Sequence, residues 1–170
     1  MVKEKRLQLV LRALITFFVR CSNTDNSVEF EPHATSLETA GKGYVVASLG
    51  EDSGYVPYTA FSAKGSYIEE NPEIIQSFTN ALQKGMDYVQ SHTPEEIAKA
   101  IAPQFAETDI DIITTIVKRY YDQDTWKSDL IFAEESFDLL QDILDSAGEL
   151  SKRAPYQDLV NTEFAEKAAN

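Results

Sequence analysis

The order of its predicted elements is the feature that most constrains how this chain can fold. Candidate strands occur early in the 170 residues, and a long helical part with no further strong strand follows them. Two strands do not form a stable core by themselves, and the apolar faces of four helices need a surface to cover. The sequence therefore predicts an α/β protein with few strands followed by a helical C-terminal part. This order also indicates a piece of a larger fold.

The candidate strands are short apolar runs bounded by proline and glycine. Residues 28–30 form the first run, and residues 44–49 form a β-branched run of the length of a buried strand. Residues 58–63 predict another strand. The segments between the strands are predicted to form a brief helix at 33–37 and a loop at 51–54.

Capping residues mark the predicted helices. Asn71 followed by Pro72 predicts the start of the longest helix. Thr93 and Glu96 form a capping box at the next helix, and Gly148 predicts a left-handed C-cap. Thr108 and Thr162 are predicted to cap two further helices. The apolar stripes expected to form the core comprise Ile75, Phe78, Leu82, Met86 and Val89; Ile97 and Ile101; Ile110, Ile113, Val117 and Tyr120 or Tyr121; and Phe137, Leu140, Ile143 and Leu144.

The charge and the rare residue types exclude several classes of function. The chain carries 15 basic and 28 acidic residues, a net charge of −13, and such a surface repels nucleic-acid phosphates. Cys21 is the only cysteine, so no intrachain disulfide forms. His33 and His92 are far apart and lack partners at metal-ligand spacing. No nucleophile elbow and no glycine-rich phosphate loop occurs. We therefore predict no metal, no cofactor and no catalytic residue.

Residues 1–27 differ from the rest of the chain. A basic region precedes the apolar run 13–19, and Cys21 lies at the position expected of a lipoprotein cysteine, although Arg20 occupies the place of the usual small residue. Three interpretations stay open: a secretory signal, a short amphipathic helix that includes Phe17 and Phe18, or a start that belongs to no folded unit. Residues 23–27 are predicted to be a linker.

Several segments resemble one family when they are taken together. Residues 30–35, 41–48 and 54–61 are similar to the second half of nitrate/sulfonate/taurine-type substrate-binding proteins of ABC importers. The same family includes binders of pyrimidine precursors in the thiamine pathway. The motifs that begin at Asn71 and Trp126 agree with the family in order and spacing. The resemblance covers roughly residues 30 to 170.

The resemblance implies part of a periplasmic-binding-protein type II fold, in which two α/β lobes close over a small ligand. Residues 1–27 would be an unmatched leader and linker, and residues 28–56 would end the second lobe. Residues 57–170 would supply the crossing strand and the C-terminal helices of the first lobe. The rest of the first lobe and the start of the second are missing from this chain, so we expect a truncated protein without a complete ligand cleft.

The function that the resemblance implies is solute binding rather than catalysis. The chain would be an extracytoplasmic component, periplasmic or lipid-anchored, that delivers a sulfonate, nitrate, taurine or pyrimidine precursor to an ABC permease. Two alternatives stay open: a fragment of a thiamine-pyrimidine synthase-like enzyme, or a non-functional remnant. A complementary N-terminal half or self-association would cover an apolar patch that we expect on the long helices.

Four residues are candidates for ligand contact. Glu31 lies at a predicted strand end, where α/β clefts open, and its carboxylate favours a cationic or aminopyrimidine-like ligand over an anion; the alternative is a solvated or hinge-pairing carboxylate. His33 is a candidate for recognising a polar group of the ligand. Tyr55 and Tyr58 flank the proposed crossing and could stack on a planar ligand, or they could simply pack. Trp126 is expected to cover helix ends rather than to stack on a ligand.

Overall fold

A small antiparallel sheet begins the structure, a computed structural model that describes residues 17–21 and 26–170. Strand β1 spans Phe17–Cys21, β2 spans Asn26–Glu29 and β3 spans Gly43–Ser48. The order across the sheet is β2-β1-β3, and β1 pairs antiparallel with both neighbours. The predicted strands at 28–30 and 44–49 are thereby confirmed, with bounds shifted by one or two residues.

The central strand comes from the segment that the sequence left with three interpretations. Residues Phe17–Cys21 form β1, so the helix interpretation is wrong for Phe17 and Phe18. A run of aromatic and β-branched residues suits a strand when two neighbours are available for pairing. Residues 26 and 27 of the predicted linker belong to β2. Residues 1–16 and 22–25 lie outside the described residues, so the secretory signal remains a prediction.

The segments between the strands follow the sequence only in part. Helix α1 spans His33–Thr39 and confirms the predicted helix there. Helix α2 spans Leu49–Asp52, so the predicted loop begins too early; the Ser48 hydroxyl accepts a hydrogen bond from the Glu51 backbone nitrogen at 3.4 Å and starts this turn. Residues 58–63 form no strand, and that prediction is wrong. A strand needs a partner, and none of the described strands pairs with this segment.

The helical part agrees well with the capping signals. At the Thr93 box, the hydroxyl accepts from the Glu96 backbone nitrogen at 3.3 Å, and the Glu96 carboxylate accepts from the Thr93 nitrogen at 2.9 Å. Gly148 has φ of +73°, as a left-handed C-cap residue should. The helices after residue 64 are α3 (Gly65–Glu70), α4 (Pro72–Ser91), α5 (Pro94–Ile101), α6 (Ile110–Asp122), α7 (Glu134–Ser146), α8 (Tyr156–Leu159) and α9 (Glu163–Ala168), with a short 3₁₀ turn at Ala102–Gln104.

Three predicted caps are wrong in detail. Asp109, not Thr108, caps α6, since its carboxylate accepts from the Asp111 backbone nitrogen at 3.2 Å. The Asn71 amide instead donates to the Tyr67 carbonyl at 3.1 Å, because the preceding helix α3 ends at this residue. The Thr162 hydroxyl donates to the Glu166 carboxylate at 2.6 Å rather than capping α9.

The main core lies between α5 and α6. Ile97, Ala98, Ile113 and Val117 are buried there, and Trp126 packs against them from the loop after α6. A second, smaller core contains Ala34, Leu37, Val45 and Tyr120 and joins α1 to β3 and α6.

The apolar stripe of α4 is less buried than the sequence predicts. Phe78 is 45% exposed, and Ile75, Leu82, Met86 and Val89 are only half-buried. In α4 the buried residue is Gln83, so the expectation that the whole stripe forms core is wrong. Val89 of the stripe does pack against the α5–α6 core. Among the described residues, no helix combines the length and the apolarity needed to cross a bilayer.

Candidate functional site

Glu31 is the centre of a buried polar network at the start of α1. Its carboxylate accepts from the Thr35 backbone nitrogen at 3.0 Å and from the Thr35 hydroxyl at 2.9 Å. The Arg119 guanidinium, on α6, donates to the same carboxylate at 2.5 Å. The Glu31 side chain is only 4% exposed. Three donors therefore satisfy this carboxylate within the chain.

The second arm of Arg119 extends the network to the sheet. Its other terminal nitrogen pairs with the Glu38 carboxylate on α1, and Glu38 also accepts from the Val45 backbone nitrogen at 2.8 Å. We call Glu31, Thr35, Glu38 and Arg119 the arginine network. It ties α1, β3 and α6 together through one forked cation, a geometry for which arginine is suited and lysine is not.

Tyr120 lies beside the arginine network and connects it with the loop after α6. Its ring packs in the second core, and it meets the Trp126 ring edge to face at 5.9 Å. Burial raises the pKa of the Tyr120 hydroxyl well above its ordinary value, and the negative charge of Glu31 raises it further. This phenol therefore stays protonated throughout the neutral range and can donate a hydrogen bond.

The loop after α6 is held in an uncommon backbone conformation at Asp124. Its φ of 52° lies in the left-handed region, where aspartate is among the non-glycine residues that occur most often. The Tyr55 hydroxyl donates to the Asp124 carboxylate. This hydrogen bond, followed by the charge of the carboxylate, raises the pKa of Tyr55. The contact joins the segment after α2 to the end of α6.

A cavity of about 110 Å³ opens between α4, the end of α6 and this loop. On the α4 side, the Gln90 amide donates to the Trp126 carbonyl at 3.1 Å, and the Gln83 amide donates to the Ser128 carbonyl at 2.9 Å. The two glutamines are seven residues apart, so they share one face of the helix. We call this cavity the aromatic pocket; its lining comprises Val89, Gln90, Tyr120, Tyr121, Asp124 and Trp126.

The structure brings three of the four predicted site residues to one region. Glu31 lies in the arginine network, Tyr55 contacts Asp124, and Tyr58 lies near enough to Tyr120 to influence its electrostatics. His33 is the first residue of α1, and its side chain is exposed. Within the described residues, no hydrogen bond joins it to Glu31, Tyr55 or Tyr58. The ligand roles of all four residues remain predictions. The buried pairing with Arg119 shows that the solvated interpretation of Glu31 is wrong, and the hinge role of this pairing remains a prediction.

Sequence reasoning did not find Arg119, Asp124 or Gln90 as members of this region. The one local signal was the Arg119-Tyr120-Tyr121 run near the end of a predicted helix, where a basic residue is ordinary. The pairs that give these residues their roles span long sequence separations, 88 positions between Arg119 and Glu31. Among the described residues, no group of three or more His, Cys, Asp and Glu side chains could hold a metal ion.

Comparison with known proteins gives one informative similarity. The chain is 44% identical over 141 residues to the "Putative binding protein YtlA" of Bacillus subtilis (strain 168). The match covers 83% of this chain but only 42% of that protein, so the chain spans less than half the length of this relative. No protein-family model and no solved structure matches the chain. Over most of its length, the chain is thus similar to part of a binding protein, which supports a binding role.

Proposed function

We propose that this chain is part of the solute-binding component of an ABC importer. It would capture a small polar solute outside the cytoplasm, at the cell surface or in the periplasm, and deliver it to a membrane permease. The solute would be a sulfonate, nitrate, taurine or a pyrimidine precursor. The observation that carries the proposal is the 44% identity with a protein named as a binding protein, together with the family resemblance of residues 30–170.

The positions of Tyr55 and Tyr58 support this proposal. The two residues flank Pro57, where the resemblance places the crossing between lobes. The Tyr55 hydroxyl donates to Asp124, and Tyr58 influences the electrostatics of Tyr120. A crossing segment that contacts the ligand region could couple solute capture to closure of two lobes, a common form of hinge motion. We accordingly propose the periplasmic-binding-protein type II architecture as the fold to which the described elements contribute.

The proposed partners follow from the same role. A permease would receive the solute, and a complementary half or a second copy of the chain would cover the exposed apolar side chains of α4 and the segment before α3. These side chains include Phe61, Ile74 and Phe78, which are 76%, 55% and 45% exposed. We propose binding without catalysis, so no bond of the solute is made or broken.

Titration calorimetry of the chain against taurine, nitrate, methanesulfonate and a hydroxymethyl-aminopyrimidine tests the proposal. We expect one of them to bind saturably and to raise the melting temperature, as any ligand that binds only the folded state must. Tyr58→Ala should weaken this binding about tenfold, whereas Tyr67→Ala should not. Both tyrosines are 45% exposed, and Tyr67 lies on α3. Absence of binding by every one of these solutes would contradict the proposed solute classes, and turnover of a bound solute traced by isotope label would contradict binding without catalysis.

A further inference from the structure

The aromatic pocket combines three aromatic residues with one carboxylate. Tyr120, Tyr121 and Trp126 contribute the rings, and Asp124 contributes the carboxylate. We propose that this pocket binds the head group of a small organic cation of the quaternary ammonium type. The inference rests on the solute-binding role proposed above, but it takes the captured solute to be an organic cation in place of the sulfonate, nitrate or taurine named there.

Two of the three rings meet edge to face beside the cavity. The Tyr120 and Trp126 ring planes meet at 68° with their centroids 5.9 Å apart, and both rings border the cavity. The face of an aromatic ring carries partial negative charge and attracts a cation within about 6 Å of its centroid. Such aromatic cages recognise methylated ammonium groups, which form no strong hydrogen bonds. Tyr121, which is 42% exposed, also lines the cavity.

The carboxylate adds full charge to the partial charge of the rings. Asp124 lines the pocket while the Tyr55 hydroxyl holds one of its oxygens. A carboxylate accepts about four hydrogen bonds, so acceptance from Tyr55 leaves its charge available to a ligand. The left-handed backbone at Asp124 and the hydrogen bond from Tyr55 together orient this group before any ligand arrives. Preorganisation of this kind lowers the cost of binding.

Contacts with the core and with α4 hold Trp126 and its loop in place. Trp126 packs against the α5–α6 core, and Gln90 donates to its carbonyl at 3.1 Å. Gln83 fixes the next turn of the loop through the Ser128 carbonyl at 2.9 Å. The ring packs on the core and its backbone is hydrogen-bonded to α4, so contacts within the chain set its position.

The charges around the aromatic pocket and the volume of its cavity limit the class of ligand that it can bind. The cations of α6 are paired: Arg119 with Glu31 and Glu38, and Lys118 with Asp122 at 2.6 Å. In the loop, the Lys127 ammonium donates to the Ile131 carbonyl at 3.2 Å. The chain carries a net charge of −13. This environment disfavours sulfonate and nitrate and favours a cation. A volume of about 110 Å³ suits a small head group, because drug-sized ligands occupy pockets of about 300 Å³ or more.

Fluorescence of Trp126 reports occupancy directly, because it is the only tryptophan of the chain. We expect choline, used as the probe, to shift or quench this emission saturably. Dimethylbutanol, its uncharged carbon isostere, should bind at least about fivefold more weakly, since it lacks the attraction to rings and carboxylate. Equal binding of the two compounds would overturn the proposal, and so would absence of any response to choline in a chain that melts cooperatively.

Two substitutions that each remove one negative charge, one in the pocket lining and one outside it, test whether choline binds in the pocket. Asp124→Asn should weaken choline binding about fivefold or more, and asparagine tolerates the left-handed backbone. Asp122→Asn, an exposed carboxylate outside the pocket lining, should change it less than about twofold. Tyr121→Leu removes an exposed ring with little risk to folding and should also weaken binding. Equal losses for the two Asp variants would show nonspecific attraction to the acidic surface and would overturn the pocket.

The outcomes separate this inference from the proposed function. Choline binding measured through Trp126 fluorescence tests the aromatic pocket alone and does not require a permease. If a sulfonate, nitrate or aminopyrimidine binds and choline does not, the aromatic pocket is wrong and the solute-binding role remains. If choline binds but isotope label shows that the chain converts it chemically, the pocket remains and the proposed role as a passive binder is wrong.

Discussion

Helix α6 is attached to the rest of the chain on two sides, and the two attachments differ in kind. Toward α5, Ile113 and Val117 pack in an apolar core with Ile97. Toward α1 and β3, Arg119 forks between two carboxylates, and Glu31 is almost fully buried. The apolar side joins segments that are close in sequence, whereas the polar side joins residues 88 positions apart. The comparison shows that one helix can hold its near neighbour by hydrophobic burial and a distant segment by paired charge.

The largest effect is expected on the apolar side. Ile113→Ala should lower the free energy of unfolding by about 4 kcal/mol, because it removes buried methyl groups and leaves a cavity between α5 and α6. Urea unfolding followed by circular dichroism measures this loss. Thr115→Ala on the exposed side of the same helix should change stability by about 0.5 kcal/mol or less. Similar losses for both variants would mean that α6 does not pack on α5 as described.

The polar side should give a smaller but still large effect. Arg119→Ala should lower the free energy of unfolding by about 3 kcal/mol, because the buried Glu31 carboxylate loses its cation. Lys118→Ala is the matched control: this neighbouring cation and its partner Asp122 are each 60% exposed. Exposed pairs of this kind contribute about 0.5 kcal/mol or less. If Arg119→Ala and Lys118→Ala lower the free energy of unfolding equally, the arginine network contributes no more than an exposed ion pair. The contrast between the two attachments of α6 is then wrong.

The smallest effect concerns Tyr120, which lies where the two attachments meet. Its pKa is raised in the folded chain, first by burial and then by Glu31, while an unfolded tyrosine titrates near about pH 10. The stability that its protonated hydroxyl contributes is therefore complete below about pH 10 and is lost as the pH rises toward the folded pKa. Urea unfolding at about pH 9 and about pH 11 should show this decline. Tyr120→Phe should make the decline shallower, and an unchanged slope in that variant would contradict the burial of this phenol.

Local features were predictable because their causes lie within a few residues. The Thr93 and Glu96 capping box, the left-handed Gly148 and the amphipathic α5 and α6 follow from neighbouring side chains. Where the prediction of a cap was wrong, a competing partner close by explains the error. Asn71 ends α3 before it begins α4, so its amide satisfies a carbonyl of the preceding helix.

The candidate site was predictable only in outline. Glu31, Tyr55 and Tyr58 were selected from strand ends and the flanks of a proline, and the structure places all three near α6. Their partners Arg119 and Asp124 were not selected, because a basic residue near the C-terminal end of a helix and an aspartate in a loop each have an ordinary local explanation. No local pattern indicates that Gln83 is the buried residue of α4, because its amide donates a hydrogen bond to the Ser128 carbonyl, 45 positions away.

By itself, the sequence determined where most helices begin and end, which faces of α5 and α6 are apolar, and that the chain carries a strong negative charge. Those properties depend on hydrogen bonds and side-chain spacing within one or two turns. Only the tertiary structure decided that Phe17–Cys21 is the central strand, that residues 58–63 are not a strand, and that Arg119 meets Glu31. Strand pairing and buried ion pairs need partners from distant positions, and the partner that each residue meets is set by how the elements pack.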